Sequence, residues 1–157
     1  MQIDTIKNYL LNVSDFDRII EEIYELTISL EQIYPRYKEW FFEKQVKGCH
    51  TSERNIFFVR NDNGEIVGMV SVKRNLTEQK ICTLYVKEKY RNKKIGEALV
   101  EIAFEFLGTT KPLVTFSEDT YDFYKTIIKK YNWQLTEILD SKYQLGKKEY
   151  CYNGHLK

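Results

Sequence analysis

The 157 residues fall within the range of one domain, expected over 1–157, and their 43% apolar content suffices for a buried core without disulfides or metal. With 24 Lys+Arg against 23 Asp+Glu the net charge is +1, so no global field favours nucleic acid, a membrane or another polyanionic partner. Cys49, Cys82 and Cys151 lack C-x-x-C spacing and only His50 and His155 accompany them, which argues against a disulfide scaffold or a zinc site; no metal is expected.

The start, MQIDTIKNYLL, is too charged for a signal peptide, and no later run approaches the roughly 18 apolar residues of a membrane span. A cytoplasmic location is expected. Ser14 precedes Phe16, Ile19, Ile20, Ile23 and Leu26, whose spacing predicts an amphipathic helix capped by Ser14 and ending before Pro35. A second helix follows Pro35 through Trp40 and Val46, with Gly48 as its C-cap.

Asn55–Val59, an Asn/Asp/Gly turn and Ile66–Val72 form a hairpin signal, and Lys80–Val86 reads as a third strand. A basic loop leads into the periodic helix Ile95–Leu107, which gives way at Gly108. Leu113–Phe116 is a short buried strand, Ser117 caps a further helix through Tyr131, and two strands close the chain. Two helices, a hairpin, then strand, helix, strand, helix and two strands predict an α/β (α+β) fold, a mixed sheet covered on both faces.

The loop before Ile95 carries the clearest chemistry. The unpaired N–H groups and dipole of a helix N-terminus favour phosphate, Arg91, Lys93 and Lys94 add positive charge, and Gly96 lets a ligand approach the backbone. Arg91-Asn92-Lys93-Lys94-Ile95-Gly96 resembles the Gln/Arg-x-x-Gly-x-Gly/Ala loop with which the GNAT superfamily of acetyl-coenzyme A-dependent N-acetyltransferases holds the coenzyme A pyrophosphate. Leu84-Tyr85-Val86 before it and Leu99 after it also look like that family. Lys94 departs from the pattern, which prefers glycine there. Ser117-x-x-Thr120-x-x-Phe123-Tyr124 resembles the family's Asn-x-x-Ala-x-x-Phe-Tyr, with Phe123 and Tyr124 matching outright.

The resemblance implies a GNAT-like, mainly antiparallel central sheet with a splayed parallel pair. It implies acetyl-CoA as co-substrate, held by Leu84, Tyr85, Val86, Arg91, Asn92, Lys93, Lys94, Ile95, Gly96, Glu97 and Ser117. It further implies direct transfer of the acetyl group to a primary amine in a ternary complex, with Tyr124 as the acid that protonates the departing thiolate. No base is identified: the strand Lys80–Val86 holds no carboxylate, and Glu43 and Glu78 read as solvated. Cys82, without a nearby histidine, reads as a packed strand residue rather than a nucleophile.

The acceptor pocket is expected around Tyr34, Tyr37 and Trp40, facing the Tyr143–Tyr152 strand pair, with the acceptor itself open among polyamine, aminoglycoside, amino acid and protein amine. Besides a coenzyme A thioester and an amine, no nucleic-acid or membrane partner is expected, and a homodimer stays open. A non-catalytic coenzyme A sensor or interaction domain on the same fold is the alternative, motivated by Lys94 and the missing strand carboxylate.

Overall fold

In a computed structural model, which describes residues 2–156, seven strands form one sheet in the order β1-β2-β3-β4-β5-β7-β6. The strands are β1 (Ile3–Thr5), β2 (Arg54–Arg60), β3 (Ile66–Arg74), β4 (Gln79–Val86), β5 (Leu113–Ser117), β6 (Leu135–Asp140) and β7 (Lys148–Tyr152). All neighbours run antiparallel except β4 and β5. This is the mixed sheet that the order of elements predicts, and the mainly antiparallel form with one parallel pair that the resemblance implies. Three residues, Ile3–Thr5, add an edge strand beside β2 that no sequence pattern announced, because a run so short carries no periodicity.

The helix α1 (Val13–Thr27) starts two residues earlier than expected: Asn12, not Ser14, is its cap, accepting from the Asp15 backbone N–H at 3.1 Å. It buries Phe16, Ile19, Ile20 and Ile23 against Ile56, Phe58 and Met69 of the sheet. It stops being α-helical at Thr27, whose hydroxyl donates back to the Ile23 carbonyl at 3.0 Å and accepts from Tyr37 at 2.7 Å. A 3-10 turn carries the chain to Gln32.

After Pro35, α2 (Tyr37–Trp40) runs into a π-helical turn over Phe41–Val46, which aims the buried Gln45 amide at the Asn55 carbonyl, 2.9 Å away. Gly48 is not the expected left-handed cap. A Cβ there would lie 2.4 Å from Arg54 Cδ, so close packing against β2 demands the glycine.

On the opposite face, α3 (Ile95–Leu107) and α4 (Tyr121–Lys130) cover a second core. Leu99, Val100, Ala103 and Phe104 pack there with Val70, Val72, Val114, Phe116 and Trp133. Strand alternation divides β2 between the two cores, Ile56 and Phe58 toward α1 and Phe57 toward Phe106 on α3. Among the described residues no helix is long and apolar enough to cross a membrane.

The cap of α3 is Lys94, in the left-handed region at φ 63° and ψ 12°, with no side-chain hydrogen bond to the helix. A β-carbon is strained in that conformation, and a lysine at a helix N-terminus opposes the dipole. Lys94→Gly is therefore expected to stabilise the protein by about 1 kcal/mol, visible as a rise of roughly 2–4 °C in Tm. A lower Tm would show that the lysine stem contributes packing that outweighs the strain.

Candidate functional site

The geometry of the site follows from the parallel pair. β4 and β5 are bonded only through Lys80 with Leu113 and Ile81 with Val114. The β3–β4 register shifts immediately afterwards: Thr83 faces Ser71 and Ile81 faces Val72, which leaves Cys82 as the extra residue of a bulge. A bulge raises local twist and bends its strand, and β5 is drawn the other way by β7. The two strands part, and Leu84–Val86 lose their β5 partner.

A cavity of about 1040 Å³ opens at this parting. Its walls include Leu84, Tyr85, Val86 and Arg91 at one end, Phe116, Phe123 and Tyr124 beneath, and Tyr34, Trp40, Lys80, Tyr143 and Glu149 at the other. Most of that lining is apolar, which suits a small-molecule site with few polar anchors.

At the α3 end, the Arg91 Nε–H donates to the Val86 carbonyl at 2.7 Å, and its guanidinium lies between the Tyr85 and Phe123 rings, 5.5 and 5.6 Å from their centroids. Gly96 sits under Phe123: a Cβ would come within 3.3 Å of the ring's Cζ. Asn92 and Lys94 both adopt positive φ in bringing the loop around to the helix start.

Several of the other expected residues lie elsewhere. Lys93, Lys94 and Ile95 line a smaller hollow with Ile3, Val59 and Ala98, while Glu97 pairs with Lys130. The buried Ser117 hydroxyl accepts from the Asp119 N–H at 3.3 Å, capping the turn into α4.

Tyr124 is 5% exposed and its ring stacks on Phe116 at 4.1 Å. Burial, reinforced by the nearby Glu149 carboxylate, pushes its phenol well above the usual tyrosine range, so it stays protonated at neutral pH. Tyr34 also lines the cavity, donating to both Glu149 carboxylate oxygens at 3.0 and 3.2 Å and meeting Tyr143 edge-on at 5.2 Å. Tyr37 contributes its ring to the wall but commits its hydroxyl to Thr27, and Trp40 lies 5.8 Å from the Arg54 guanidinium.

Glu149 is the group that the sequence did not reveal. It lies on β7 opposite Ser117, 4% exposed, and desolvation raises its carboxyl to about 7, against smaller lowering effects from Tyr34, Thr115 and Lys80. Its position in KKEYCY, beside two lysines, resembles a solvated edge. The available signal is the strand period: Glu149 shares a face with the buried Cys151. Cys82, beside the Arg54 guanidinium at 3.7 Å, has its thiol pushed up by burial and is held away from thiolate.

Residues 53–127 match the acetyltransferase (GNAT) domain family. No curated protein sequence matches the chain significantly. Among solved structures, an aminoglycoside 6'-N-acetyltransferase complexed with coenzyme A aligns at TM-score 0.63 and 15% identity, over 97% of this chain and 95% of that one. A nourseothricin acetyltransferase aligns at TM-score 0.58 and 16% identity, over 64% of each chain. A Bacillus anthracis protein described as a streptothricin acetyltransferase, in complex with acetyl coenzyme A, aligns at TM-score 0.55 and 15% identity, over 64% of this chain and 61% of that one. The chain thus spans under two thirds of the latter two, and at these identities the likeness is one of fold.

The carboxyl of Glu149 binds its proton more tightly in the folded than in the unfolded protein. The stability this gives is fully present below the ordinary glutamate value of 4.5 and is lost as pH rises through about 7. Glu149→Gln, neutral throughout, should therefore gain on wild type by about 2 kcal/mol between pH 5 and pH 8, read by urea denaturation at both values. A gap independent of pH would show that Glu149 titrates normally.

Proposed function

We propose that this chain, a GNAT-fold protein whose residues 53–127 carry that family's acetyltransferase domain, moves the acetyl group of acetyl-coenzyme A to a primary amine by direct transfer in a ternary complex. The observation that carries the reading is that Tyr124 and Glu149, two groups suited to opposite proton transfers, face one cavity at the parting of β4 and β5.

Acetyl-CoA supplies an activated thioester, whose carbon–sulfur bond is exchanged for an amide. The residues fit it. Arg91 and the α3 N–H groups beside Gly96 offer positive charge and donors for the pyrophosphate. Leu84–Val86 present a strand edge without a β5 partner, able to pair with the amide groups of the pantetheine arm. Asn92, Lys93 and Lys94 shape and charge the loop; Ile95 and Glu97 support it through packing and an ion pair, and Ser117 caps the turn into α4.

Glu149 is the proposed base. An acceptor amine arrives mostly as ammonium, and a carboxylate with its pKa near 7 both attracts that cation and can take its proton near neutral pH. Tyr34 holds the carboxylate in place through its two contacts. Tyr124, held protonated, donates to the departing thiolate, and the proximity of Glu149 gives the phenol a route to recover its proton. Cys82 takes no part, since a half-buried thiol held protonated and without a histidine is a poor nucleophile. Tyr34, Trp40 and Tyr143 form the acceptor wall, with the Tyr37 ring behind them.

Acetyl-CoA is expected to raise the Tm by mass action and to release free thiol when a suitable amine is added. Gly96→Asp should abolish the Tm shift, by pressing on Phe123 and adding negative charge at the pyrophosphate. Tyr124→Phe should keep the shift while lowering kcat by ~10²-fold. Wild type without any shift at saturating acetyl-CoA would refute the assignment, and an unchanged kcat in Tyr124→Phe under chemistry-limited conditions would remove the phenol from the reaction.

A further inference from the structure

The acceptor half of the cavity holds a second charge opposite in sign to Glu149. Lys80, half-buried on β4, lines the same wall and forms no ion pair or side-chain hydrogen bond among the described residues. Its charge acts on Glu149, yet the two do not join. Apart from Arg91 at the α3 end, which donates to the Val86 carbonyl, the remaining charges of the lining are compensated or exposed. Arg36 pairs with Glu39 at 3.0 Å, Asp119 with Lys147 at 3.2 Å and Asp122 with Lys125 at 3.6 Å, while Glu43, Lys44 and Lys142 face solvent, where screening weakens them.

A buried carboxylate without a cation is costly, and a half-buried lysine without a counter-charge leaves a favourable attraction unmade. One molecule offering an ammonium to Glu149 and an anion to Lys80 relieves both. Resting on the acetyltransfer reading above, we propose that the acceptor is an amino-carboxylate, a free amino acid whose amine sits at Glu149 and whose carboxylate sits at Lys80. Tyr34, Trp40 and Tyr143 then enclose its side chain, which favours an apolar or aromatic one. A polyamine or aminoglycoside carries several ammonium groups, and this cavity offers them one buried carboxylate and the repulsion of Lys80.

The test is free-thiol release from acetyl-CoA with the twenty L-amino acids, the decarboxylated amines phenethylamine, tyramine and isobutylamine, and the polycations spermidine and kanamycin. At least one amino acid is expected to exceed its decarboxylated amine and both polycations in kcat/KM by about tenfold or more, as expected of a site that reads a charged group. Lys80→Met should collapse that ratio to within about threefold, the ratio being immune to any effect of the substitution on Glu149 itself. Lys80→Arg, which keeps the charge, should retain most of it. Preference for spermidine, kanamycin or the decarboxylated amines, or a ratio untouched by Lys80→Met, overturns the inference and leaves acetyl transfer standing. No thiol release with any acceptor, when acetyl-CoA demonstrably binds, overturns both.

Discussion

Everything at the candidate site depends on the fact that β4 and β5 hold together for only two residue pairs. A parallel pair that ran its full length would satisfy the backbone of Leu84–Val86 and close the sheet. The extra residue at Cys82 twists β4, β7 holds β5 by its other edge, and the two strands diverge. Unpaired strand backbone is tolerated only where water or a ligand satisfies it, so the divergence is itself a binding feature. It also brings Arg91 of the loop before α3, the α4 aromatics and the β7 carboxylate to the walls of a single opening.

Within that opening, environment rather than residue type divides the labour. Burial drives both Tyr124 and Glu149 toward their neutral forms, but from opposite starting points. The phenol is carried far out of the neutral range and remains a donor. The carboxyl is carried up to about 7, where it can exist as either acid or base. Separation of two titratable groups in this way is the pattern from which acid and base roles are assigned. Tyr34 joins the two, sharing the burial of the phenol and binding the carboxylate.

Much of this was legible from the chain alone, for identifiable reasons. The helix Ile95–Leu107 has a strong period and a Gly stop, the hairpin has an Asn/Asp/Gly turn, and both stand where expected. The loop from Arg91 to Gly96 stood out by its charge and its glycine, whereas the Phe123-Tyr124 pair stood out only through the resemblance to the GNAT motif. Lys94 could be flagged as a departure, but only coordinates reveal that its backbone is left-handed. Asn12, Ser14 and Asp15 are all capping residues, so the cap was ambiguous by one or two positions. Glu149 was hidden because its burial is produced by Tyr34, more than a hundred residues away, and by the strand pairing of β5 with β7. Lys80 acquires its meaning in the same way, through what shares its cavity and not through its neighbours in sequence.

The most direct measurement is the pH dependence of kcat/KM with a slow amine acceptor, for wild type and Glu149→Gln. Wild type should show a limb with an apparent pKa near 7, activity rising as the carboxylate forms, and Glu149→Gln should lose that limb together with ~10²-fold of rate. A wild-type profile that stays flat through neutrality, or a limb that persists unchanged in Glu149→Gln, would contradict the assignment of the β7 carboxylate as the base.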